Sequence, residues 1–257
     1  MKNGDIKMAK NSLEMTQTEI IERVKRSRIT IRNWEHFHSE LEHVTDSGWI
    51  FRGVTSVSHY LIPSIGRDQY GQYKRAQEEA LFHEFKSKAI SIISDTRFSD
   101  WDWLAFAQHV GVPTRLLDWS TSPLIATFFA LEKEDGEGRV LYCTKYSRFV
   151  HEVDHKNINP FNNLTEGRFS APSLFDRIRA QRGLFTIHPD PTKIFLPPKL
   201  KSFVINENLV KDFRKRLFKY GIDFWHIYPD EQGLGQQLKW QFKNKIGLGS
   251  VFMKGPK

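Results

Sequence analysis

Between Phe98 and Leu131 the chain reads FSDWDWLAFAQHVGVPTRLLDWSTSPLIATFFAL, with Gln108, His109, Thr114, Arg115, Asp118, Ser120 and Ser122 set among Trp, Phe, Leu and Ala. These polar groups fall mainly between two apolar, helix-compatible runs, Trp101–Ala107 and Pro123–Leu131. Charges between buried elements must be paired or used, because an unpaired buried charge is expensive. Two readings follow: an Arg115–Asp118 pair that fixes the joint between two helices, or a functional pocket. Pro113 holds Val112 extended, and a helical turn after it would let Arg115 and Asp118 meet at their three-residue spacing. Two further sets could join the first in a fold, Arg52 and Gln181. Two cations with hydroxyls and amides suit an anionic or phosphate-bearing ligand better than a neutral one. No carboxylate pair of the glycosidase kind stands out.

Other chemistries lack their motifs. The chain has no Walker loop, no dinucleotide G-x-G-x-x-G and no G-x-S-x-G elbow. His43, His59, His83, His151 and His155 lack metal-ligand spacing and read as surface or packing residues; His151 and His155 stand four apart, but in a loop-like stretch. The single Cys143 excludes an internal disulfide and a Cys-rich zinc site.

The 257 residues suffice for one large domain or two small ones and for a substantial core, made unusually aromatic by 20 Phe, 7 Trp and 7 Tyr. A net charge of +8 admits nucleic acid or a nucleotide as partner. The basic residues are spread along the chain without an aromatic-interleaved stripe, which is a weak nucleic-acid signal and leaves another anionic partner open. No apolar run is long enough for a membrane span, and residues 1–17 lack the apolar region of a signal peptide. The expected location is cytoplasmic.

Several elements must position the polar groups. Residues 1–16 read as a mobile tail. Residues 18–27 suit a short helix or a strand lead-in. Ile31, Trp34, Phe37, Leu41 and Val44 predict an amphipathic helix over 30–44, stopped by Asp46-Ser47-Gly48. Trp49–Val54 reads as a strand whose Arg52 faces either solvent or a cleft; Gly53 permits a close approach of backbone or ligand, or begins a turn. Residues 61–67 are an irregular connection. A long helix is expected over 72–94, with Ala76, Ala80, Leu81, Phe85, Ala89, Ile92 and Ile93 inward and its Lys, Glu and Gln residues in water. Pro123 suits the first turn of its helix. Further strands are expected at 138–144, 183–187, 193–196, 201–205 and 223–228. Helices are expected at 208–220, with Leu209, Phe213 and Leu217 inward and Gly221 as cap, and at 231–239, capped by Asp230. Residues 151–176 are loop-like, and those after Phe242 form a basic tail, leaving 17–242 as the domain. Helices and strands alternate irregularly, which gives the α+β class.

Phe51-Arg52-Gly53, LIPSIGR (61–67), QHVGVPTRLLDWSTSPLIATFFA (108–130), RIRAQRGLFTIH (177–188) and YGIDFWHIYPDEQGL (220–234) resemble the FRG-domain family. The order of motifs is also similar to that of ADP-ribosyltransferases of the arginine–serine–glutamate type. Arg52 in IFRGV looks like their strand-end arginine, Ser120-Thr121-Ser122 like their Ser-Thr-Ser stretch, and Gln181-Arg182-Gly183 like their Glu/Gln-x-Glu motif. That likeness implies a single compact α+β domain, a mixed central sheet flanked by helices, and NAD as ligand and ADP-ribose donor. Arg52 would hold a phosphate or ribose of NAD, Ser120 would position the nicotinamide ribose, and Gln181 would touch acceptor or substrate. Gly53, Gln108, His109, Thr114, Arg115 and Ser122 would complete the nucleotide site. Gly183 departs from the pattern, since it stands where the catalytic glutamate is expected. Either another carboxylate serves, with Asp118, Asp230 and Glu231 as candidates, or the pocket binds a nucleotide or nucleic acid without transfer.

Overall fold

A computed structural model describes residues 15–44, 46–93, 98–133, 138–150, 159–162, 165–170 and 176–247. The expected terminal tails, except their residues nearest the domain, and His151 and His155 lie outside this set. In chain order the helices are α1 (Gln17–Arg26), α2 (Trp34–Glu42), α3 (Arg75–Ala89), α4 (Asp100–His109), α5 (Pro123–Ala130), α6 (Asp176–Ala180), α7 (Glu207–Lys219), α8 (Phe224–Ile227) and α9 (Glu231–Asn244). The strands are β1 (Arg28–Ile31), β2 (Trp49–Val54), β3 (Leu116–Ser120), β4 (Arg139–Lys145), β5 (Gly167–Phe169), β6 (Gly183–Ile187) and β7 (Lys201–Ile205). They form one seven-stranded mixed sheet in the order β1-β7-β4-β2-β3-β6-β5. Only β1 and β7 pair in parallel; the other pairs are antiparallel. The protein is a single α+β domain, as the irregular alternation of elements predicts. Among the described residues no helix is long and apolar enough to cross a membrane.

Period-two alternation divides the central strands between two cores. Phe51, Leu141, Cys143, Phe203 and Ile205 pack against α2, α5, α7, α8 and α9, while Ile50, Val54, Val140, Tyr142 and Val204 face α1 and Phe195. A third cluster joins Phe82 of α3 and Trp101, Trp103 and Leu104 of α4 to Leu116, Phe185 and Ile187.

The segment 109–122 is more than a joint between helices, since it contains strand β3. The expected Arg115–Asp118 pair does not form. On an extended segment, residues three apart point to opposite sides. Arg115 reaches Glu78 on α3 instead, with Nη2 donating to Oε2 at 2.6 Å and Nε to Oε1 at 3.0 Å. The face of α3 is corrected with it. Glu78 and Phe82 are buried, whereas Leu81 is 38% and Ile92 83% exposed. The partner of a buried arginine outweighs a better apolar stripe, because that charge must be met.

Smaller corrections have local causes. Ile31 pairs with Ile205 on β1, so α2 starts only at Trp34, where the Asn33 side chain accepts from the His36 N–H. Where a strand is expected at 223–228, Phe224–Ile227 form helix α8 instead, because Asp223 Oδ1 caps it through the His226 N–H at 2.8 Å. Residues 193–196 make no strand; Phe195 N–H donates to Leu61 O at 2.8 Å, and prolines follow at 197 and 198. Val210, more than Leu209, faces the core from α7, and α9 runs on to Asn244.

Candidate functional site

The sheet opens between its two middle strands. Strand β2 pairs with β3 through Phe51 and Ser120 alone. Towards β6, β3 is continuous from Leu116 to Ser120, and flanking bonds from His188 N–H to Arg115 O and from Thr121 N–H to Arg182 O set which carbonyls face which neighbour. The Asp118 carbonyl therefore faces β2, and no β2 backbone group is registered with it. The Arg52 side chain meets it instead, with Nη1 donating to Asp118 O at 2.7 Å and to Oδ2 at 3.2 Å. Arg52 is thus aimed into a cleft, and the solvent-facing alternative is excluded.

A hydrogen-bonded chain holds this pair. Gln108 Nε2 donates to Asp118 Oδ2 at 2.7 Å, Thr114 Oγ1 to Gln108 Oε1 at 2.7 Å, and the Leu116 N–H to Thr114 Oγ1 at 3.1 Å. Each group is oriented by the next, which favours a rigid arrangement. Arg52 retains only 14% side-chain exposure and Asp118 49%, so the carboxylate faces the cleft.

The cleft encloses about 380 Å³, within the usual range of roughly 300–1,000 Å³ for small-molecule sites. Arg52, Gly53, Gln108, His109, Asp118, Ser120, Gln181 and Gly183 all line it. Of the remaining expected site residues, Thr114 and Arg115 are each 1% exposed and stand behind it, and Ser122 caps α5 through the Ile125 N–H. Asp230 and Glu231 start α9 outside the lining; Asp230 is ion-paired to Arg177, which does line the cleft. Ser120 Oγ donates to Gln181 O at 2.8 Å and accepts from the Ser122 N–H at 3.0 Å. It ties β3 to the segment before β6.

Gly53 lines the cleft, but its lack of a side chain serves packing. A Cβ there would sit 1.8 Å from the Ala126 carbonyl oxygen, so α5 lies directly on the β2 backbone.

The segment 59–67, α6 and the residues just after α5 and α8 add further lining groups: His59, which the sequence suggests is a surface or packing residue, and Arg67, Glu132, Lys133, Arg177 and Tyr228. Arg67, Arg177 and Tyr228 stand inside the family-like stretches, which was their available signal; His59 and Lys133 carried none. Tyr228 Oη donates to Glu132 Oε1 at 2.7 Å, and burial foremost, then Glu132, pushes the phenol above its usual range. Four cations, Arg52, Arg67, Lys133 and Arg177, face two lining carboxylates, Asp118 and Glu132. The balance of these lining charges is positive, which favours an anion over a cation. Among the described residues no cluster of His, Cys, Asp and Glu is arranged for a metal ion.

Burial lowers the proton affinity of three histidines. His59 and His109 line the cleft, and after burial Arg67 and Arg177 respectively oppose their protonation. His188 is 1% exposed; burial outweighs the nearby Glu166, and its Nε2 meets Thr186 Oγ1 at 2.8 Å. The Trp119 indole N–H donates to the same hydroxyl at 2.9 Å, so Thr186 links the indole to the imidazole. A histidine held neutral in the fold costs nothing above its unfolded pKa and destabilises the fold once the unfolded chain takes up protons. Melting temperature should therefore fall as pH drops below about 6.5. His188→Gln, which keeps a hydrogen-bonding side chain without the titration, should show a shallower fall. An equal acid-dependent fall in both proteins would rule His188 out.

No characterised protein and no solved structure matches the chain. The family model of the FRG domain matches residues 47–138, the span that includes β2, Arg67, α4, β3 and α5. This chain carries an FRG domain, and its candidate cleft is built largely from that domain.

Proposed function

We propose that the cleft binds a phosphate-bearing nucleotide of the NAD class and transfers its ADP-ribosyl group to a nucleic acid or protein acceptor. One observation carries this reading: Arg52, Ser120 and Gln181, the residues of the three separated motifs, line the same cationic cleft. In such a transfer the nicotinamide–ribose C–N bond breaks, nicotinamide leaves, and an acceptor oxygen or nitrogen bonds the anomeric carbon and gives up its proton. Arg52 would neutralise phosphate charge. The half-exposed Asp118 carboxylate, held by Gln108 and Arg52, would stand near the positive charge that develops on the ribose. Ser120 and Gln181 act here mainly by shaping the wall, since the Ser120 hydroxyl donates to the Gln181 backbone carbonyl and the Gln181 amide donates to Ile227 O at 3.3 Å.

A second reading, a nucleotide-sensing module without turnover, is favoured by Gly183, which puts no carboxylate where the motif order expects one. Purified protein incubated with labelled NAD and with DNA, RNA or cell extract separates the two. Release of nicotinamide or label on a macromolecule supports transfer. A thermal shift with NAD and no turnover supports the module, and no shift and no turnover would overturn both. Arg52→Met should weaken nucleotide binding by at least about tenfold, the scale of one lost charge-assisted hydrogen bond. Unchanged affinity, measured by calorimetry, would remove Arg52 from the site.

A further inference from the structure

Among the described residues, two of the cleft's four cations have an ion-pair partner and two have none. Arg52 is held by Asp118, and Arg177 by Asp230. Arg67 and Lys133 form no ion pair with any described residue. The contrast is sharpest at Arg67, which closes the LIPSIGR stretch just after the one-turn helix Ser64–Gly66. Its Nε donates to Ile62 O at 3.2 Å, which fixes the guanidinium, while its terminal nitrogens make no hydrogen bond to the described residues. Arg67 is nonetheless partly buried, and His59 stands beside it in the lining. Burial foremost, and then Arg52, disfavour its charged form; Asp118 is the one carboxylate that supports it. That carboxylate is already engaged by Arg52 and Gln108. A partly desolvated guanidinium without its own counter-charge is a costly arrangement that an incoming anion relieves.

We infer that Arg67, with His59 and Lys133 beside it, forms a second phosphate subsite next to Arg52, so that the ligand of this cleft carries a diphosphate. Two neighbouring guanidiniums offer forked donors to two phosphate groups, one of them restrained by Asp118 and the other open to take its full charge from the ligand. Arg67 then sets the preference for a diphosphate over a monophosphate. This inference rests on the nucleotide reading of the cleft only for the rest of the ligand; the subsite itself would take a diphosphate from any source.

Calorimetric titration of the full chain with inorganic phosphate, inorganic pyrophosphate, AMP, ADP, ADP-ribose and NAD tests it, at one fixed ionic strength. Wild type should bind pyrophosphate more tightly than phosphate, and ADP about tenfold or more tightly than AMP, the scale of one added charge-assisted contact. Arg67→Met should bring ADP and ADP-ribose down to about the affinity of AMP, while AMP itself changes little. Arg67→Lys should keep part of the preference. Lys133→Met, at an exposed position where folding is not at stake, should weaken pyrophosphate several-fold. Equal loss of AMP and ADP in Arg67→Met, or no preference for the diphosphate in wild type, overturns the subsite. Pyrophosphate binding that depends on Arg67, without NAD binding, would keep the subsite and reject the NAD reading. NAD binding indifferent to Arg67 and Lys133 would do the reverse, and a chain that binds none of the six, with a wild-type melting transition, refutes both.

Discussion

Arg115→Ala should destabilise the protein by about 3–5 kcal/mol, the range for removing one partner of a buried ion pair. The guanidinium and the Glu78 carboxylate are 1% and 2% exposed and bonded through two parallel contacts. Tyr73 Oη completes the set, accepting from Arg115 Nη2 at 3.0 Å and donating to Glu78 Oε2 at 2.7 Å. The guanidinium carbon also lies 4.9 Å from the centre of the Phe161 ring. Truncation leaves Glu78 in an apolar site with a single phenolic donor. Because the penalty is that of a stranded charge, acidification should shrink it, and the double variant Arg115→Met with Glu78→Leu should regain much of the loss. Urea denaturation at two pH values measures all of this. Wild-type stability in Arg115→Ala would refute the structural role. Nucleotide affinity should survive in any variant that stays folded, since neither Arg115 nor Glu78 lines the cleft.

Gly53→Ala should cost about 3 kcal/mol or more, at or beyond the upper end of ordinary overpacking penalties of roughly 1–3 kcal/mol. The new methyl group would lie 1.8 Å from the Ala126 carbonyl oxygen and 2.5 Å from the Ala130 nitrogen. Both obstacles are backbone, so no rotamer change relieves them and α5 must lift from the sheet. Ala126 and Phe129 of that helix line the cleft, so ligand affinity should fall with stability. Gly183 provides the control. A Cβ there meets Ile178 at 3.4–3.5 Å, ordinary contact, so Gly183→Ala should stay within about 1 kcal/mol of wild type. Melting transitions of the two variants compare the positions directly; a mild Gly53→Ala would mean that α5 does not rest directly on the β2 backbone. The same tolerance of a Cβ at a position that lines the cleft makes Gly183→Glu a direct trial of the transferase reading.

Local pattern alone was enough for much of this protein. The short apolar runs Trp49–Val54 and Lys201–Ile205 identified two strands at their observed bounds, and Pro123 marked the start of α5. Asp230 capping α9 was legible for the same reason, since a cap involves only neighbours in sequence: Oδ1 accepts from the Gly233 N–H at 2.8 Å. The motif stretches held most of the lining residues, because a wall built from strand ends and short turns leaves its residue types in order along the chain. Tertiary structure decided the pairings. Glu78 met Arg115 from a helix 37 positions earlier, and Arg52 met Asp118 across 66. Spacing within a segment favours near neighbours, and so it offered Asp118 as the partner of Arg115. The strand at 116–120 was hidden for a related reason: its polar Asp118 and Ser120 look like loop residues until the splayed sheet places them on the wall of a cleft. Charge balance, which among the described residues leaves Arg67 without an ion pair while Arg52 and Arg177 have one, is a property of the folded neighbourhood and has no trace in the order of residues.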